Sequence, residues 1–174
     1  MTSTPSALLA TTANVVAFVD TNVLVYAHDG SDGDKQAIAR DLLQRLWADR
    51  SGALSTQVLQ EFYAVATSQH KLAMTHAEAR ELVRIYSEWP VILVEPAFIL
   101  TASRLAEQHR LSFWDALIVE AARVAGATRL LTEDLQDGLV IDGVRIENPF
   151  RAHVELDDSE NAVADTTAEQ GRGA

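Results

Sequence analysis

The chain has 174 residues, is 48% hydrophobic and 22% charged, and carries a formal net charge of −11 with no cysteine. Disulfides and thiolate zinc sites are excluded, and no apolar run approaches the roughly 20 residues that span a bilayer. The length suits one domain with a substantial core, and a cytoplasmic protein with no membrane association is the expectation.

Residues 1–14 read as a lead-in. Their only apolar cluster, Ala7-Leu8-Leu9-Ala10, is too short and too weakly flanked for a secretory signal. Val15 to Val19 is a β-branched and aromatic run that predicts a buried strand. It ends at Asp20-Thr21-Asn22, polar residues set at the rim of a sheet. Val23 to Ala27 begins a short helix or extends the buried structure. A polar loop from Asp29 to Asp34 offers Asp32 or Asp34 as a cap for a helix from Lys35 to about Asp49. Ala53-Leu54-Ser55 is a short strand, and Ser55 or Thr56 caps a helix running to about Gln69.

Thr75 and Glu78 have capping-box spacing before a helix from about His76 to Trp89, which Pro90 ends. Val91 to Val94 predicts a strand, and Pro96 starts a helix through His109. Ser112 caps a helix from Phe113 to Val124, closed by Gly126. Thr128 to Leu131 is a strand leading to Thr132-Glu133-Asp134. Val140 to Ile146 is an edge pair or a final strand broken at Asp142-Gly143. The alternation predicts an α/β fold, a largely parallel sheet covered on both faces. One domain over 15–150 is expected, followed by a disordered acidic tail over 151–174.

Charge follows this division. The segment 151–174 holds six acids and two bases, leaving 19 acids and 12 bases elsewhere. A broad basic groove for nucleic acid is disfavoured, while a small substrate surface remains compatible with the balance.

Four acids stand where chemistry is placed. Asp20 and Asp134 follow strands, and the carboxyl rim of a parallel sheet is where open α/β folds hold ligands. Glu61 interrupts an apolar stripe, between Val58 and Val65, where a lone acid is expensive to bury. Asp115 stands at the start of a helix. Each has a simpler reading: a turn or cap for Asp20, a solvent-reaching boundary residue for Glu61, a charge at a helix N-terminus for Asp115 and a loop start for Asp134. Glu120, Glu133 and Asp137 are rival acids that spacing does not separate from these. Clustered carboxylates repel unless a cation compensates, and magnesium or manganese does so through oxygen ligands. No glycine-rich phosphate loop is present.

Phe18-Val19-Asp20-Thr21-Asn22-Val23-Leu24-Val25-Tyr26-Ala27, with Gln60-Glu61-Phe62, Phe113-Trp114-Asp115-Ala116 and Leu131-Thr132-Glu133-Asp134, resembles the PIN-domain ribonucleases. The similarity is strongest to the toxin halves of bacterial VapBC toxin–antitoxin pairs and covers roughly Val15 to Pro149. It implies a three-layer α/β/α domain with a largely parallel central sheet. It also implies a divalent-metal-dependent endoribonuclease using Mg2+ or Mn2+. Asp20, Glu61, Asp115 and Asp134 would hold metal, with Thr21, Asn22 and Thr132 supporting the acids. The expected partners are an RNA substrate, a cognate antitoxin protein and a second copy of the chain in a homodimer. Alternatives are a PIN-domain nuclease of RNA processing or of DNA, and a noncatalytic RNA-binding or protein-interaction module. Lys71, Arg104 and Arg110 are phosphate contacts to weigh against ordinary solvated positions.

Overall fold

The computed structural model describes residues 15–151, so the lead-in over 1–14 and the acidic tail beyond Arg151 lie outside the described residues. Strand β1 (Ala17–Val19) is wholly buried and leads into helix α1 (Thr21–His28), with Asp20 as its N-cap. The apolar run from Val15 is longer than the strand. Even so, Val16 is bonded to both sides, its N–H donating to Ser51 O and its carbonyl accepting from Thr128 and Arg129.

Helix α2 (Gly33–Ala48) is capped by Asp32, whose carboxylate accepts from Lys35 N. Strand β2 (Gly52–Ser55) passes directly into α3 (Thr56–Ala66), capped by Ser55. The capping box of Thr75 and Glu78 is formed at the start of α4 (His76–Tyr86). Strand β3 (Val91–Ile92) is only two residues long, because Val94 N turns to donate to Thr56 Oγ1. Helices α5 (Pro96–His109) and α6 (Phe113–Val124) precede β4 (Arg129–Leu131). The chain closes with β5 (Val140–Ile141) and β6 (Val144–Glu147), the expected edge pair.

The sheet order is β3-β2-β1-β4-β6-β5, parallel except for the β5–β6 hairpin. Helices α1 to α4 pack together on one side, and α5 with α6 covers the other, giving three layers. Phe18, Leu54, Val58, Phe62, Leu130 and Ile146 fill the core between them and are fully buried. Trp89 packs so closely over Gly52 that a Cβ there would lie 2.5 Å from its ring.

From β1 the chain crosses to β2 on one side, while β4 lies on the other. Such a switch point opens a crevice at the carboxyl ends of the strands. Asp20 ends β1, Thr132 ends β4, and α3 departs from the end of β2, so all three meet at one rim. Among the described residues, no helix is long and apolar enough to cross a membrane.

Candidate active site

Asp20 sits at the centre of this rim and is 8% exposed. Its Oδ1 accepts from Thr21 N at 2.6 Å, while Oδ2 accepts from Thr132 Oγ1 at 2.7 Å and Asn22 Nδ2 at 3.2 Å. The Thr132 hydroxyl also accepts from Asn22 Nδ2 and from Asp134 N, each at 3.1 Å. All the bonding capacity of that hydroxyl is therefore used. Asn22 Nδ2 further reaches Asp134 Oδ2 at 3.0 Å, sharing its two hydrogens among three acceptors. Asp20, Asn22, Thr132 and Asp134 form one network across two neighbouring strands.

Glu61 joins from α3. Thr21 Oγ1 donates to its Oε2 at 2.8 Å, and Gln57 Nε2 donates to its Oε1 at 2.9 Å. Burial pushes the Asp20 carboxyl up to about 6, against the pull of its bonds from Thr132 and Thr21. The nearby charges of Asp134 and Glu61 push in the same upward direction. Three carboxylates thus act electrostatically at one place.

Asp115 is not tied into this network. Its carboxylate accepts from Ser112 Oγ at 2.7 Å and its N–H donates back to the same hydroxyl, as a helix cap requires. The helix it starts returns the chain to β4, which puts its N-terminus on the rim side of the sheet.

The rival acids are committed elsewhere. Glu120 is buried in a two-bond pair with Arg123, and Asp137 accepts from Asn148 N and Arg151. Glu133 is held by Tyr26 Oη at 2.6 Å and Lys35 Nζ at 2.6 Å, with the ammonium 4.3 Å from the Tyr26 ring centroid. Sequence reading missed Gln57, Tyr26 and Lys35. Gln57 was detectable only as a polar residue one helical turn before Glu61, and Lys35 had no local signal.

A groove of about 520 Å³ opens beside the carboxylates, lined on its acidic side by Asn22, Glu61 and Asp134 and on its apolar side by Val25, Ala64 and Val65. Among the described residues, Lys71 is the only cation lining it; Arg104 and Arg110 do not reach it.

The donor chemistry is that of a hard divalent cation, all carboxylate and amide oxygen. Two buried amide oxygens at the site, Asn22 Oδ1 and Gln57 Oε1, have no hydrogen-bond partner among the described residues. Among the described residues, no group of three or more His, Asp or Glu side chains converges closely enough to hold a metal by itself. Magnesium needs no such cage, since it keeps several waters and binds through one or two carboxylates. On those terms the residues fit.

The PIN domain family model matches residues 17–136. No curated protein sequence matches the chain. Among solved structures, a toxin–antitoxin complex from Klebsiella pneumoniae is similar at 21% identity and TM-score 0.55, over 76% of this chain and 97% of that one. DNA-bound VapBC from Salmonella typhimurium gives 18% and 0.56, over 78% and 98%. The sarcin–ricin-loop-cleaving toxin VapC20 of Mycobacterium tuberculosis gives 23% and 0.51, over 66% and 86%. At these identities the similarity speaks for the fold.

Proposed function

As this chain belongs to the PIN-domain family, we propose that it is a divalent-metal-dependent endoribonuclease and the toxin of a toxin–antitoxin pair. The observation that carries the reading is the joining of Asp20, Asn22, Thr132 and Asp134 with Glu61 beside one groove. Mg2+ or Mn2+ would take one or two direct ligands from among Asp20, Glu61 and Asp134, with the remaining acids, and Asp115 at the start of α6, acting through bound water. Bound there, the ion would activate water toward the phosphodiester and offset charge on the leaving oxygen.

The chain's own residues do the positioning. Thr21 fixes Glu61, and Thr132 and Asn22 hold Asp20 and Asp134 at a set separation. Lys71, the one cation among the described residues of the groove, offers a contact for an RNA phosphate. The apolar wall of Val25, Ala64 and Val65 suits an antitoxin segment that would cover the groove. Leu93, Ile99, Leu100 and Trp114 are exposed and give α5 and its surroundings an apolar surface for a homodimer.

Related structures support this partner class: that from K. pneumoniae is a toxin–antitoxin complex, that from S. typhimurium is DNA-bound VapBC, and VapC20 is a sarcin–ricin-loop-cleaving toxin. Induced expression in a bacterial host tests the reading. Growth should stop, RNA from arrested cells should carry new internal ends, and Asp20→Asn should abolish both. Arrest that persists unchanged in Asp20→Asn would contradict it.

A further inference from the structure

Glutamine is mostly an exposed residue, yet Gln57 is 6% exposed in the first turn of α3. Its amide is spent on one task, the bond from Nε2 to Glu61 Oε1 at 2.9 Å. The other Glu61 oxygen takes Thr21 Oγ1 at 2.8 Å. The carboxylate is therefore gripped at both oxygens, once from its own helix and once from α1, and cannot rotate without losing both donors. A carboxylate oxygen has two lone pairs, so each keeps one free for a cation or for water bound to it.

Stability alone does not account for this residue. Reversing the amide would set Oε1 against the Glu61 carboxylate, so the placement of Nε2 is the one the chemistry allows. That placement leaves Oε1 buried without a donor among the described residues, a costly state that an apolar side chain of similar shape would avoid. We propose that Gln57 is a positioning residue of the acidic site, holding the Glu61 carboxylate in the orientation that receives a divalent cation. The inference rests on the metal site of the proposed function, and on RNA cleavage only for its activity measurement.

The test uses the metal-stripped full chain, with Mn2+ binding followed by titration calorimetry and RNA cleavage followed separately. In Gln57→Met the Kd for Mn2+ should rise about tenfold, as for loss of a residue that orients a ligand. The kcat should fall by a similar factor, with KM for RNA unchanged and the metal-free Tm equal to or above that of the unsubstituted protein. In a Glu61→Gln background, adding Gln57→Met should change neither quantity further. Gln57→Leu serves as the second variant if Gln57→Met does not fold.

Unchanged Mn2+ affinity and kcat, or effects that add to those of Glu61→Gln, would overturn the proposal while leaving the nuclease reading intact. If the unsubstituted protein binds Mn2+ but cuts no RNA, the nuclease reading fails and the affinity ratio alone decides. If it binds no Mn2+, both fail.

Discussion

Burial raises the Asp20 carboxyl to about 6, from 3.8 in the unfolded chain. The folded state therefore holds this proton more tightly than the unfolded state. The resulting stability is fully present below about pH 4 and is lost as pH rises through about 6. At neutral pH the ionised, buried carboxylate then costs up to about 3 kcal/mol in metal-free protein. Asp20→Asn should recover part of that cost. In chelator, urea unfolding at pH 8 should find the variant more stable, with the gap closing by pH 4. A gap independent of pH would mean that Asp20 is not held as described. The same reasoning separates neighbouring acids that spacing left level. Glu133 is neutralised by Lys35 and faces Tyr26, whereas Asp134 shares Asn22 with Asp20. Asp134→Asn should lower kcat for RNA cleavage by tenfold or more, a fraction of the several kcal/mol a bound ion contributes. Glu133→Gln should leave kcat within about twofold, a change of under 0.5 kcal/mol.

At the scale of elements, the site depends on where β2 and α3 start. Gly52 pairs with Ala17 of β1, and its missing Cβ admits the Trp89 ring. Gly52→Ala should displace that ring and cost about 1–3 kcal/mol, seen as a lower Tm by calorimetry. An unchanged Tm would show that the ring moves freely. Most elements were legible because strand runs and helical stripes were bounded by residues whose caps formed: Asp32, Ser55, Thr75 and Ser112. Ends were less so. The helix expected to reach Gln69 stops at Ala66, where the Thr67 hydroxyl bonds back to Tyr63 O and a turn closes through Ala73 in the left-handed region. The helix expected to reach Trp89 stops at Tyr86, and the Trp89 side chain is drawn instead into the core. The positions Asp20, Glu61 and Asp134 were legible from apolar context. Thr21, Asn22 and Thr132, expected beside these acids, do bond them, whereas the Lys35–Glu133 pair was not legible, because the two stand 98 residues apart in the chain and only the fold brings them together.

For the whole molecule, a formal charge of −11 opposes RNA binding, so Lys71, the single cation among the described residues of the groove, carries unusual weight. Lys71→Ala should raise KM for RNA and reduce the slope of log affinity against log salt by about 0.7, the share of one phosphate contact on a single strand. An unchanged slope would remove Lys71 from the RNA path. On the proposed function, the acidic rim is where a cation and an RNA phosphate would meet. The most direct measurement incubates metal-stripped protein with a panel of structured RNAs, with and without Mg2+ or Mn2+, beside Asp20→Asn. The account predicts internal cuts that require metal and vanish in the variant. Cuts that persist in chelator, or that Asp20→Asn makes equally well, would contradict it.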